Sequence, residues 1–162
     1  MMNFIRTKLR HHFVTIDEEL QIAFAKVFLD TTTYLKAYNE GPIVKSPIIG
    51  LRMEERFCIS NIYVGVGRHK FGYIQRIEVD LKNNYAQVGH IATHANFTRI
   101  GLGKRLALAI GEHVNKLYGI DQIHFFESSQ NPAYPNFFAN TLGAKKIKTN
   151  GHDKWIWSIP KS

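Results

Sequence analysis

The sequence predicts one domain over residues 1–162, of the α/β (α+β) class, with a mixed, mostly antiparallel sheet and flanking helices. Three observations carry this. Three β-rich runs, Phe57–Val66, Phe71–Leu81 and Tyr85–His94, follow one another with only turn-like residues between them. Leu102, Leu106, Ile110, Val114 and Leu117 recur every three to four residues, the period of an amphipathic helix. The length of 162 residues fits one core, and 44% of the chain is apolar.

The elements follow in order. Asp17, Glu18 and Glu19 precede Leu20, Phe24, Val27 and Phe28. Acids in a first turn suit the positive helix end, so one or two helices are expected over residues 17–39. Asn39–Pro47 is expected to be a loop, from its glycine and two prolines. The three strands come next, parted by "GVGRHK" and "KNN". The long helix should end at Gly119 in a left-handed cap. Residues 121–127 form a short apolar strand, which makes one parallel step with the strand near residue 85. Pro135 opens a helix that runs to Leu142 and stops at Gly143. "AKKIKT" and "DKWIWSI" flank Asn150-Gly151, a hairpin signal. Trp155 and Trp157 share a face of the last strand, which suits the core or a dimer interface.

Composition narrows the class. No window of eighteen apolar residues exists, so no membrane-spanning helix is expected. The N-terminus lacks the apolar core of a secretory signal and only faintly resembles a transit peptide, through Arg6, Lys8 and Arg10. The single cysteine, Cys58, excludes an internal disulfide and fits a reducing cytoplasm. The net charge of +8 favours anionic partners: nucleic acid, acidic protein, a membrane surface or a polyphosphate cofactor. The basic residues cluster at 6–10, 99–105 and 145–148. No motif for reading nucleic-acid bases is present.

"TRIGLGKR" opens the long helix. A P-loop needs glycine five residues before the Gly-Lys pair and a hydroxyl residue after it. Those positions hold Thr98 and Arg105. A dinucleotide fingerprint needs a glycine at 106, which is Leu106. Both fail. Two readings remain: a diphosphate cradle built from the backbone amides of residues 99–104, or glycines that only permit a tight turn.

The segment resembles the Gln/Arg-x-x-Gly-x-Gly/Ala signature of the GNAT superfamily, the acetyl-coenzyme A-dependent N-acyltransferases. Here it reads Thr98-Arg99-Ile100-Gly101-Leu102-Gly103. Ile91, Thr93, Ala95 and Phe97 take the slots of the strand before it. Asn131, Phe137-Phe138, Leu142 and Gly143 resemble the family's downstream segment. The likeness covers residues 70–159 and implies an N-acetyltransferase-like domain that takes acetyl-CoA, or another acyl-CoA; no metal is expected. It implies two central parallel strands that splay apart around the pantetheine arm. Ile91, Ala92 and Thr93 would pair with that arm through their backbones, and an N–H near Thr93 would polarise the thioester. Arg99, Ile100, Gly101, Leu102, Gly103 and Lys104 would hold the pyrophosphate. Asn131 would bond the pantetheine, and Phe138 would lie against the coenzyme.

Two family positions for proton transfer are changed. Gln87 stands where one branch has a glutamate base, and Ala139 stands where a tyrosine acid is usual. Tyr134 is the nearest phenol and the candidate acid, or else a cap packing on coenzyme A. Glu78, Glu127 and His90 are candidate bases. His90 and His94 lie about 13 Å apart along a strand, too far to share a metal ion. The expected function is transfer of an acetyl or short acyl group to a primary amine, on a small molecule or a protein. The charge leaves room for an anionic or RNA- or DNA-bound acceptor. The alternative is a module that binds acyl-CoA or nucleic acid with little transfer. An oligomer is compatible with the sequence.

Overall fold

The computed structural model describes residues 36–37, 43–66, 69–93, 101–126, 133–151 and 153–161. The helices expected over 17–39 lie outside the described residues except at Lys36–Ala37, which is a strand; the basic run 6–10 and His94, Arg99, Ile100, Glu127 and Asn131 lie outside them too.

Among the described residues nine strands form one sheet: β1 (Lys36–Ala37), β2 (Lys45–Pro47), β3 (Arg56–Ile59), β4 (Ile62–Val66), β5 (His69–Asp80), β6 (Tyr85–Thr93), β7 (Gln122–Phe126), β8 (Lys145–Lys148) and β9 (Asp153–Ser158). Their order is β1-β4-β5-β6-β7-β9-β8, with β3 also on β5 and β2 on β3. Every pairing is antiparallel except β6 with β7. Helix α1 (Leu102–Tyr118) links that parallel pair and packs against β5 and β6. Its inner stripe is Leu102, Leu106, Ala107, Ile110, Gly111 and Val114, all buried. Burying each large side chain stabilises the fold by about 1.5–3 kcal/mol. Leu117 is not part of the stripe; it is 57% exposed. The expected cap at Gly119 is present, at φ 69°, with its N–H donated to the Asn115 carbonyl.

Three expectations change. Lys45–Pro47 is a strand on β3 and not a loop. Its proline is tolerated because β2 is an edge strand. The run Phe57–Val66 is two strands on one line. Both lie along β5, with Ile59 opposite Ile77 and Ile62 opposite Ile74. The helix expected from Pro135 begins earlier, as α2 (Ala133–Asn136), and continues as a π-helical turn, Phe137–Thr141. The wider turn is closed by the Leu142 N–H on the Phe137 carbonyl.

A line of irregularity crosses the sheet at the gap between β3 and β4. Asn61 Oδ1 accepts the Arg76 N–H of β5 at 3.0 Å. Arg76 is left-handed, at φ 54°, which costs a non-glycine residue about 1–2 kcal/mol. Opposite it on β6 stands Gly89. A Cβ there would lie 2.9 Å from the Arg76 Cβ, so no side chain fits. Buried positions change phase across this line. Ile59, Ile77 and Val88 are buried below it, and Ile62, Ile74 and Ile91 above it. Each pair is separated by two residues instead of the one that alternation requires. The doubled positions, among them Arg76 and His90, fall outside the core.

Candidate functional site

The same line marks where β6 and β7 part. Their ladder runs from Tyr85–Gln122 through Ala86–Ile123 and Gln87–His124 to Val88–Phe125, and stops there. β7 ends one residue later, at Phe126, whereas β6 continues to Thr93. On its other edge β6 stays paired to β5 as far as Thr93–Gly72. Among the described residues, Gly89–Thr93 therefore has one edge bonded and the other without a strand. That free edge carries N–H and C=O groups able to pair with an extended ligand.

The N-terminus of α1 lies at the top of this opening. Gly101 is its N-cap, left-handed at φ 84°, with no side chain bonded to the helix end. The first intrahelical bond is Arg105 N–H to the Gly101 carbonyl, at 3.1 Å. The amides of Leu102, Gly103 and Lys104 precede it and have no partner within the helix. A Cβ at Gly101 would meet nothing within 4 Å, so space is open there. One at Gly103 would lie 3.2 Å from the Phe137 ring and 3.7 Å from Thr93 Cγ2. Gly103 thus joins three elements: the helix start, the end of β6 and the π-helical turn.

Three rings from three elements gather beside the opening. His90 of β6 stands 5.5 Å from Tyr73 of β5 and 6.4 Å from Tyr134 of α2, between ring centroids. All three are half-buried. Burial, and then the Arg76 charge, lowers the His90 pKa below the usual imidazole value. Burial, and then Tyr73, raises that of Tyr134 above the usual phenol value. Near neutrality the site therefore offers an imidazole able to accept a proton and a phenol able to give one.

No family model and no curated protein matches the sequence. Solved structures do: 116 chains match. A Bacillus anthracis str. Ames protein, assigned as a streptothricin acetyltransferase and in complex with acetyl coenzyme A, is 17% identical. That match covers 68% of this chain and 65% of the other, with a TM-score of 0.50. N-acetylglutamate synthase from Neisseria gonorrhoeae, complexed with coenzyme A and N-acetyl-glutamate, is 14% identical over 62% of this chain and 26% of its own, again at 0.50. The chain has the GNAT fold. The ribosomal-protein-S18-alanine N-acetyltransferase from Escherichia coli matches at 21% identity, over 63% of this chain and 68% of that one, with a TM-score of 0.47.

Within this GNAT fold the expected site residues separate. Ile91, Ala92 and Thr93 line the opening through their backbones, the Ile91 side chain being buried. Gly101, Leu102, Gly103 and Lys104 form the helix start; Leu102 is 1% exposed and has only its amide to offer. Tyr134 and His90 come together. Two of the candidates sit away from the opening. Phe138 is 1% exposed, stacked on Phe125 at 5.0 Å and packed near Trp155, so it belongs to the core. The half-buried ring beside Gly103 is its neighbour Phe137. Glu78 is held by Arg56 at 3.1 Å and is paired in register with Gln87, below the opening. Trp155 and Trp157 are buried in the core and present no interface.

His124 was not anticipated. It lies on β7 opposite Gln87, is 6% exposed, and stacks on Tyr85 at 4.1 Å. Its Nε2 is 3.4 Å from Gln122 Oε1, and its Nδ1 is buried without a partner. Burial, and then the Lys154 ammonium, pushes its pKa down to about 4. Unfolded, an imidazole titrates near pH 6.5. Between those values the unfolded chain binds the extra proton. Stability present above about pH 6.5 is therefore lost as the pH falls towards about 4. The loss is at most about 3 kcal/mol, at about 1.4 kcal/mol for each pH unit. His124→Phe is expected to flatten the fall of the thermal midpoint across that window. An unchanged slope would assign the acid sensitivity to other groups.

Proposed function

We propose that this chain transfers an acetyl group, or another short acyl group, from coenzyme A to a primary amine. The observation that carries this is the ladder that stops at Val88–Phe125 while β6 runs on to Thr93, beside Gly103 of α1, with no strand on that edge among the described residues. A pantetheine arm can pair with Gly89–Thr93 as an added strand. A pyrophosphate can take the amides of Leu102, Gly103 and Lys104, where the helix dipole favours negative charge. The residues fit the coenzyme: the N-cap Gly101 has no side chain to cap those amides, and among the described residues the space at Gly101 is open.

Bound acyl-CoA supplies the acyl carbon in an activated thioester. The amine nitrogen attacks that carbon, the C–N bond forms and the C–S bond breaks. His90 takes the proton released from nitrogen. Tyr134 gives its hydroxyl proton to the departing sulfur. A free N–H on the β6 edge donates to the carbonyl oxygen as negative charge builds there. These roles use the protonation states that burial favours: a neutral imidazole and an intact phenol.

Thermal unfolding with acetyl-CoA, free CoA and ATP tests the coenzyme half. A ligand that binds only the native state raises the midpoint. A rise with both coenzymes is expected, and none with ATP at equal concentration. Absence of any rise with either coenzyme sinks the proposal. A rise without thiol release across a panel of primary amines would favour a binding module instead.

A further inference from the structure

We propose that Arg76 binds an anionic group on the acceptor, so that the preferred substrate is an amine that also bears a carboxylate or phosphate. The inference rests on the acyl-transfer function above and names the class of its second substrate.

Arg76 is built into its place. It is left-handed at φ 54° in the middle of a twelve-residue strand, and its N–H is bonded to Asn61 Oδ1. Its side chain lies over Gly89, the first residue of β6 beyond the ladder with β7. The space a Gly89 side chain would need is filled by Arg76 Nε at 2.8 Å and Cζ at 3.2 Å. Strain held at one residue, together with room cleared for it at another, marks a position maintained for its side chain.

The charge also faces the right way. Ile74 and Ile77, on either side of Arg76, are buried in the core under α1. Arg76 is exposed, and as the strand neighbour of the buried Ile77 it falls on the other face of the sheet. The pyrophosphate cradle and Arg76 are thus separated by the sheet, and the coenzyme's diphosphate does not account for it. Among the described residues no carboxylate pairs with Arg76. The guanidinium is close enough to His90 to oppose its protonation. Gly89, over which the Arg76 side chain lies, is the residue next to His90 on β6. An amine at His90 and an anion at Arg76 therefore belong to one small molecule or one residue, a few bonds apart. A planar guanidinium suits carboxylate and phosphate alike. Binding the anion would also cancel the charge that opposes protonation of His90, making the base stronger when the right acceptor is present.

The test compares matched amines: β-alanine with β-alaninamide, and phosphoethanolamine with ethanolamine. Thiol release from acetyl-CoA gives kcat/KM for each. The native chain is expected to prefer the anionic member of at least one pair by tenfold or more, about the value of one charge-assisted hydrogen bond. The pair that shows the preference tells carboxylate from phosphate. Arg76→Gln is expected to bring that ratio to near one. That variant should keep the acetyl-CoA rise in midpoint. Equal use of both members by the native chain overturns the proposal. So does an Arg76→Gln variant that keeps the preference, or one that loses the coenzyme rise. If acetyl-CoA raises the midpoint but no amine releases thiol, the transfer function has failed separately. The Arg76 proposal is then decided by phosphoethanolamine added to the CoA complex. A further rise in the native chain, absent from Arg76→Gln, supports it, and no further rise refutes it.

Discussion

His90→Gln is expected to lower kcat/KM for amine acylation by about 10²–10⁴-fold, the usual value of a positioned general base. Tyr134→Phe should cost a similar factor. Both changes keep size close to the original, so the coenzyme-induced rise in midpoint should remain. The pH profile separates proton transfer from packing. The His90 pKa lies below the ordinary imidazole value, because burial and then Arg76 disfavour its charged form. Its basic form is therefore present at neutral pH and is lost as the pH falls through that lowered value. The acid limb of the native profile should follow this loss. In His90→Gln that limb should reflect the amine alone. Tyr134 is shifted upward, so no loss of its proton is expected below about pH 10. If the two form one relay, the double variant should be little worse than either single one. A His90→Gln enzyme with the native rate and profile would falsify the base assignment.

Gly101→Val is expected to abolish the rise in midpoint that acetyl-CoA gives the native chain. At a ligand concentration one hundred times Kd that rise corresponds to about 2.7 kcal/mol. Two effects combine. Gly101 is left-handed at φ 84°, which a β-branched residue adopts at a cost of about 1–2 kcal/mol or more. Its carbonyl also accepts the first bond of α1, from Arg105, so a rotated backbone would turn the free amides away from the phosphates. Asparagine tolerates the left-handed region best after glycine. Gly101→Asn should accordingly keep most of the rise where valine loses it. A valine variant that binds acetyl-CoA normally would place the pyrophosphate elsewhere.

Much of the architecture is written in local signals. The stripe from Leu102 to Val114, the cap at Gly119, the turn after Asp80 and the Asn150-Gly151 hairpin each depend on neighbours in sequence, and each appears where its residues imply. The irregular line across the sheet depends on register between strands. It still leaves a trace: Ile59-Ser60-Asn61-Ile62, Ile74-Gln75-Arg76-Ile77 and Val88-Gly89-His90-Ile91 each place two uncharged-polar, charged or small residues between apolar ones. Read together, the three slips in alternation mark one level of the sheet. Phe137 and Phe138 carry no such trace. Their choice between coenzyme and core is made by the π-helical turn, which rotates Phe138 onto Phe125 and leaves Phe137 beside Gly103. His124 was hidden for a similar reason, since its role comes from stacking on Tyr85 across the parallel rung.

The stretch Gly89–Thr93 is, in effect, an unfinished edge in the interior of a sheet. Edges of this kind are usually blunted by charge or cover, because they recruit other strands. Under the proposed function, the missing strand is the pantetheine arm of the coenzyme. In solvent hydrogen exchange, the amides of β6 that face β7 should trade deuterium quickly beyond Val88 and slowly before it. Saturating coenzyme should slow the first group and leave the second unchanged. The boundary of that protection would fall at one peptide, and it would report how far the borrowed strand reaches.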